Sequence, residues 1–447
     1  MAIRNQLKAT FFLAYPVMLS QLGQVSVGIA DSMMVGRLGA LPLAASSLAN
    51  SIFFVTLMFG IGISMGVTPL VSKAAGKQKI SRITRLFGHS FWINVLSSIL
   101  LFLFVLGFTP WMSVLNQPEE VTELALPYLL IISASLIPLM IFQTFKQVAE
   151  GLSMTKQAMV ITLFGNLVNV FFNWLLIWGI WGFPELGLNG AGWATLLSRV
   201  VMMVVMGGYL LYAKRFEVYH FSLRITKPSL AIATRILKIG IPTGFQFIFE
   251  VSAFSAAAIM MGWIGVKELA GHQIALNLAS ISYMMATGLA TAGMIRVSYF
   301  VGVGDFKGMR EAGMVAFGMV ICFMFCCALV FFGARFFLPS LYIQDPEVIS
   351  LAASLLVLAG FFQISDGIQV VGLGVHRGLE DVKVPTLITF FAYWGLGLPL
   401  GYLIAFPLGY AERGIWVGLV IGLSVTAILL LYRFHRLSKD KLKAQMA

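Results

Sequence analysis

Residues 239–264 read IGIPTGFQFIFEVSAFSAAAIMMGWI, a stretch long enough to cross a bilayer, with a single charge, Glu250, near its middle. A helix rises ~1.5 Å per residue, so about 20 apolar residues cover the hydrocarbon core. An acid inside such a segment costs roughly 2.5–3.5 kcal/mol on insertion scales. Two further acids sit the same way: Asp31 within Phe11 to Val35, and Asp366 within Leu351 to Val375. A carboxylate kept at that cost marks a functional site. It points to a cation or proton handled inside a membrane, by a transporter.

Composition agrees with this class. The chain of 447 residues is 59% hydrophobic and only 11% charged, with mean hydropathy +0.91. A soluble domain carries about 25% charged residues. Bilayer-length apolar runs recur to the end, which predicts an all-α polytopic membrane protein. A membrane barrel would show alternating segments of about ten residues instead. Cys322, Cys326 and Cys327 share one apolar segment and read as small buried hydrophobes, with no metal spacing. No resident cofactor or structural metal is expected. Arg4 and Lys8 precede the first apolar stretch, no small-residue cleavage site ends it, and it contains Asp31. It reads as a membrane helix and not as a cleaved signal.

Twelve spans fit, at about 10–36, 43–72, 87–112, 124–149, 157–182, 190–212, 236–263, 269–299, 312–335, 348–375, 385–408 and 414–433. The longest polar connection is roughly Ala213 to Arg235. Of the 30 Lys and Arg, Arg199 lies inside span six and Arg37, Lys267, Arg335 and Arg413 lie on one side; all the others lie on the opposite side. The net charge of +12 is therefore a topology signal and not a nucleic-acid footprint. The positive-inside rule places both termini in the cytoplasm.

The sequence also repeats. At an offset of 226, Pro16 meets Pro242, Gly36 meets Gly262, Gly39 meets Gly265, Leu43–Ala44 meets Leu269–Ala270, Gly62 meets Gly288 and Gly76 meets Gly302. Later matches drift slightly: Pro118–Glu119 with Pro346–Glu347, Gly151–Leu152 with Gly378–Leu379, and Gly190 with Gly414. An ordered series of this kind implies duplication. The expected lobes are 1–225 and 226–447, six helices each. An even number of spans makes both halves insert the same way up. The expected fold is two six-helix bundles related by a pseudo-two-fold axis along the membrane normal, with the site between them.

The acids break that repeat. Glu250 falls opposite Gln24, Asp31 opposite Ala257, and Asp366 near Pro138 or Leu139. Glu250 is twelve residues past Lys238 and Asp366 eleven before Arg377. Both then lie roughly 17 Å from the inner face, where they could share an ion. Asp31 lies farther out, six residues before Arg37. Polar residues follow at helical spacing: Thr243, Gln246 and Glu250; Gln363, Asp366 and Gln369; Ser20, Gln24 and Asp31; Asn166, Asn169 and Asn173; Gln273, Asn277 and Ser280. Such stripes belong against a protein interior or a wet cavity; Asn and Gln also serve as plain interhelical glue. No Lys or Arg is expected at the depth of Glu250 and Asp366, since Arg296 is near the inner end of its helix. Arg199 is a possible partner for Asp31. With no fixed counter-charge, a mobile cation must neutralise the pair. An inside-negative potential drives a cation inward by ~2.3 kcal/mol per 100 mV, and its entry can drive another solute out. The 37 Phe and 23 Met suit a pocket for varied shapes, although most must simply face lipid and pack helices.

These residues resemble a known family. Ala30-Asp31-Ser32-Met33-Met34-Val35-Gly36 in span one, and Gly240-Ile241-Pro242 followed by Phe249-Glu250-Val251 in span seven, are similar to the multidrug and toxic compound extrusion (MATE) family. His272-Gln273-Ile274-Ala275-Leu276-Asn277 and Asp366-Gly367-Ile368-Gln369-Val370-Val371 resemble its NorM-like branch. The likeness covers nearly the whole chain. It implies a V-shaped pair of bundles exporting organic cations and amphipathic drugs in exchange for Na⁺ or H⁺. It implies cation binding at Glu250 and Asp366, a possible Na⁺ site, and a coupling or substrate role for Asp31. Asn173, in Phe172-Asn173-Trp174, matches a polar cavity position, and Gln24, Gln246, Asn277 and Gln369 complete the candidate set. Some sodium-coupled relatives carry a Tyr one turn before the span-ten acid, where this chain has Phe362; Na⁺ and H⁺ both stay open. The expected setting is a bacterial inner membrane, and the expected partners are drugs and lipids, with a monomer as the functional unit.

Two rivals stand beside this reading. A flippase for lipid-linked oligosaccharide precursors would line its cavity with Arg and Lys for pyrophosphate, and this chain has few inside its spans. An intramembrane enzyme could use Asp31 and Asp366, or His272, yet no Gly-Xaa-Gly-Asp, His-Glu-Xaa-Xaa-His or nucleophile-elbow motif is present. His272 reads as a packed, hydrogen-bonded residue.

Overall fold

The structure is a computed structural model and describes residues 3–115, 117–223 and 228–446. Among these residues there is no strand, and twelve helices are long and apolar enough to cross a membrane. They are α1 (Arg4–Gly36), α2 (Ala40–Gly76), α3 (Ile80–Met112), α4 (Glu119–Gly151), α5 (Thr155–Ile177) and α6 (Gly187–Tyr212). Then follow α7 (Leu230–Ile264), α8 (Val266–Val303), α9 (Phe306–Gly333), α10 (Pro346–Gly378), α11 (Lys383–Ala405) and α12 (Ala411–Ala444). Each overlaps one expected span. Helices are the answer because lipid cannot bond to backbone N–H and C=O groups, which must be satisfied within the segment.

The chain packs as two compact units. One comprises Met1–Met18 and Phe245–Ala447; the other comprises Leu19–Gly244. The divide thus passes through the interiors of α1 and α7, just beyond Pro16 and Pro242. Proline inside a helix removes one backbone hydrogen bond and is the commonest cause of a kink. The first half of each of these helices packs with the opposite half of the sequence.

Glycine explains how. Within Leu19–Gly244, Gly62 of α2 lies directly on the Gly244 backbone of α7. One turn on, a side-chain carbon at Gly66 would fall 2.5 Å from the Ile236 carbonyl and 3.0 Å from the Gly240 nitrogen. The two helices cross on paired small-residue faces, Gly62/Gly66 against Gly240/Gly244, the packing that membrane helices favour when no hydrophobic drive separates them from lipid. In the other unit Gly288 of α8 meets Met18 and the Ala14 carbonyl of α1. Gly151 approaches Thr68 and Val71, and Gly378 approaches Met294 and Val297. The Gly62 contact recurs at Gly288 and the Gly151 contact at Gly378, at the offset seen in the sequence, so these duplicated glycines are duplicated helix crossings.

The connection after α6 packs on α3: Thr84 Oγ1 donates to the Tyr219 carbonyl (2.5 Å), and Trp92 Nε1 donates to the Leu223 carbonyl (2.8 Å). The rest of that connection, residues 224–227, lies outside the described residues. The cysteines differ from expectation. Cys322 and Cys326 are exposed and Cys327 is half-buried. On a membrane-length helix an exposed thiol side chain is as compatible with lipid as a buried one, so hydropathy alone could not choose a face.

Candidate functional site

In the unit formed by Met1–Met18 and Phe245–Ala447, α7, α8, α10 and α11 bring a polar cluster together. Glu250 and Asp366 are 5% and 3% exposed and lie within Coulombic reach of each other. The structure thus brings the acids of α7 and α10 together. Gln369 Nε2 donates to Glu250 Oε1 (3.3 Å), and Tyr393 Oη donates to Gln369 Oε1 (2.9 Å). Tyr283 of α8 places its hydroxyl beside Glu250. Gln363, one turn before Asp366, is locked to Ser282 by mutual bonds of 2.7 and 3.0 Å. Gln246 is buried one turn before Glu250, and its Nε2 has no hydrogen-bond partner among the described residues.

The cluster is nearly all oxygen and amide. Among the described residues neither acid is in ion-pair contact with a base. The depth estimate needs one correction. Arg377 lies within Coulombic reach of Glu250, its Nε donating to the Leu373 carbonyl (3.3 Å) and its guanidinium over the Phe247 ring at 5.9 Å. Helical side chains lean toward the helix N-terminus. A long Arg at the inner end of α10 therefore reaches back into the membrane, which a count of Cα positions misses.

Asn277 does not join this group directly. It is exposed on α8 and accepts from Gln273 Nε2 (3.3 Å) one turn away. Phe362 is buried and packs on Trp416 with ring centres 5.8 Å apart. Tyr283 and Tyr393 instead lie within Coulombic reach of both acids. Trp416 Nε1 also donates to His272 Nδ1 (3.0 Å), so His272 is a packed, bonded residue as read from sequence.

In the unit Leu19–Gly244, Asp31 is half-buried and accepts a hydrogen bond from Asn173 of α5. Asn173 Nδ2 also donates to Asn169 Oδ1 (3.1 Å), and Asn169 Nδ2 to Thr195 Oγ1 at 3.4 Å. The spacing of Asn169 and Asn173 placed both on one face, and that face meets α1 and α6. Arg199 is within Coulombic reach of Asp31 and is not in ion-pair contact with it: its Nη1 donates to Ser135 Oγ (2.5 Å) and its guanidinium covers Phe53 at 5.2 Å. Tyr128 lies in reach of both. Gln24 is exposed on α1, two turns before Asp31.

Sequence reasoning missed Tyr283, Tyr393, Trp394, Tyr128 and Ser135. A Tyr or Trp in a membrane helix is usually an interfacial anchor, so residue type alone could not single these out. Among the described residues no group of three or more His, Cys, Asp or Glu could hold a metal ion. An ion at Glu250 and Asp366 would need neutral oxygens such as those of the tyrosines and Gln369.

Comparison with known proteins agrees with the architecture. The family model MatE matches residues 16–175 and 242–403, two segments that start and end at nearly the same offset as the internal repeat. A probable multidrug resistance protein NorM of Agrobacterium fabrum (strain C58 / ATCC 33970) is 33% identical over 444 residues, covering 98% of this chain and 96% of the relative. A probable multidrug resistance protein NorM of Mesorhizobium japonicum (strain LMG 29417 / CECT 9101 / MAFF 303099) is 34% identical over 451 residues, covering 99% and 96%. An outward-facing structure of a multidrug resistance MATE family transporter of the MOP superfamily shares the fold, with TM-score 0.90 at 20% identity over 98% of this chain and 97% of that one. Duplicated glycine crossings, twelve membrane-length helices and the two-segment match converge, and the chain belongs to the MATE family.

Proposed function

We propose that this protein is a secondary active multidrug efflux transporter. It exchanges Na⁺ or H⁺ for organic cations and other amphipathic drugs by alternating access of its two duplicated bodies. Glu250 and Asp366 bind the coupling cation. Asp31 couples and contacts substrate together with Gln24 and Asn173, and Gln246, Asn277 and Gln369 complete the polar lining. The protein sits in the bacterial inner membrane with both termini in the cytoplasm, acts as a monomer, needs no resident cofactor and catalyses no covalent chemistry.

The observation that carries this reading is the buried pair Glu250 and Asp366, with Gln369 bonded to Glu250, Tyr283 and Tyr393 within Coulombic reach and, among the described residues, no base in ion-pair contact. Two carboxylates at that depth are costly unless a mobile cation or proton neutralises them. A ligand that binds one arrangement better shifts the population toward it; cation and drug, favouring opposite arrangements, then exchange. The buried bases favour export over lipid-linked sugar flipping. Arg296 is bonded to Gln6, Arg199 to Ser135 and Arg377 to the Leu373 carbonyl, and Lys146 pairs with Glu150 at 3.9 Å, so none of these four is held ready for pyrophosphate.

Dye efflux from proteoliposomes under separately imposed Na⁺ and H⁺ gradients tests the proposal. One of the two gradients is expected to drive efflux on its own; efflux indifferent to both would end the antiport reading. Asn173→Ala is expected to slow export roughly ten- to hundredfold, the worth of a hydrogen bond to a charged group. Wild-type rates in that variant would separate Asp31 and Asn173 from coupling.

A further inference from the structure

The helix α11 is not α-helical throughout. Residues Phe391–Gly397 form a π-helical turn, a rare geometry that concentrates at functional sites. Its repeat partner α5 is a regular α-helix over Thr155–Ile177. The departure is therefore specific to the unit that holds Glu250 and Asp366. Backbone packing holds the turn in place. A side-chain carbon at Gly397 would lie 3.1 Å from the Gly418 carbonyl, and one at Gly422 would lie 2.9 Å from the Ala392 carbonyl. Gly397 and Gly401 face Gly418 and Gly422 of α12, so α11 is seated on a small-residue face that leaves it little freedom to rotate.

Two neighbouring side chains of that turn bond to groups next to the acid. Tyr393 is fully buried and donates to Gln369 Oε1 (2.9 Å). Trp394 Nε1 donates to the Phe249 carbonyl (3.2 Å), the residue before Glu250. Tyr393 also has a consequence for the amide. With its hydroxyl donating to Oε1, the amide presents Nε2, and not oxygen, to the carboxylate. An N–H on the carboxylate competes with a cation for the same oxygens; an amide oxygen turned there would join in holding the cation.

We propose that Tyr393 and Trp394, aimed by the π turn of α11, are positioning residues for the cation carboxylate of Glu250, and that Tyr393 weakens cation binding by keeping the amide donor of Gln369 on that carboxylate. A site that must release its cation on every cycle benefits from such a competitor. The proposal rests on Glu250 as the cation ligand.

The test uses full-length protein in proteoliposomes, reading the half-saturating concentration of whichever cation drives efflux together with the maximal rate. Tyr393→Phe lowers the half-saturating concentration about fivefold, one neutral hydrogen bond's worth, and lowers the maximal rate because release slows. Trp394→Phe keeps the ring, loses the bond to the Phe249 carbonyl, and shifts the half-saturating concentration in either direction by more than twofold. A merely structural role would lower assembled protein and maximal rate while leaving the half-saturating concentration in place, and that result overturns the proposal. If Tyr393→Phe does not assemble, Trp394→Phe decides alone. Glu250→Gln separates the two claims. Retained cation-driven efflux in that variant removes the cation-site reading itself. A dead Glu250→Gln beside an unshifted Tyr393→Phe and Trp394→Phe removes only the positioning role.

Discussion

Glu250→Gln is expected to lower cation-driven efflux at least a hundredfold while the protein still reaches the membrane in wild-type amount. The substitution keeps shape and volume and removes the charge. Glu250 is buried, with Gln369 as its hydrogen-bond partner and Tyr283 and Asp366 within Coulombic reach. An amide in its place can still accept from Gln369 and fit beside Tyr283, so packing in α7 is retained. It cannot hold a proton, and it offers a cation one neutral oxygen in place of a carboxylate. The remaining acid, Asp366, would then face a cation alone. Efflux from proteoliposomes, alongside quantification of membrane-inserted protein, reads both halves of the prediction. Full drug resistance in cells expressing the variant would sink the assignment of Glu250 to the cation.

Gly62→Ala is expected to have the second largest effect, on assembly. In an ordinary helix interior, Gly→Ala stabilises by roughly 0.5–1 kcal/mol because glycine has more chain entropy to lose. At Gly62 the added carbon would overlap the Gly244 backbone of α7. A backbone cannot swing aside as a flexible side chain does, so α2 and α7 must separate along the face they share. Overpacking of a close interface costs about 1–3 kcal/mol, enough to reverse the sign. Gly318→Ala on α9 is the matched control, since nothing lies within 4 Å of an added carbon there. Thermal stability in detergent should fall for the first and hold or rise for the second. Equal behaviour would mean that the glycine crossing contributes nothing to the fold. Gly288→Ala should fall between the two: it meets Met18, whose side chain can move, but also the Met18 nitrogen at 2.9 Å and the Ala14 carbonyl at 3.0 Å.

Much of the candidate site was legible residue by residue. Glu250 and Asp366 stood out because charge inside an apolar run is visible without coordinates. Their placement at one depth followed from counting helix rise from Lys238 and Arg377. Asn169 and Asn173, four residues apart, were read as one face and meet Asp31 and Thr195. Other residues were beyond reach. Arg377 marks the inner end of α10 by its place in the sequence, yet its side chain comes within Coulombic reach of Glu250. Tyr283 lies on the same helix as Asn277, but Asn277 stays exposed while Tyr283 comes within reach of the acids. Tyr393 sits in a run of aromatic residues that lipid contact would explain equally well.

The sequence by itself determined that this chain crosses a membrane as twelve helices, that its halves are copies, and that three acids depart from the copy. Hydropathy, order and spacing run along one dimension, and a bilayer permits few structures from such a pattern. The tertiary structure alone decided which polar groups meet: the sharing of α1 and α7 between the units, the reach of Arg377, and the approach of Tyr393 and Trp394 from the π turn. Those depend on how each helix is rotated about its axis and where its side chains lean, and residue order leaves both open until neighbouring helices pack.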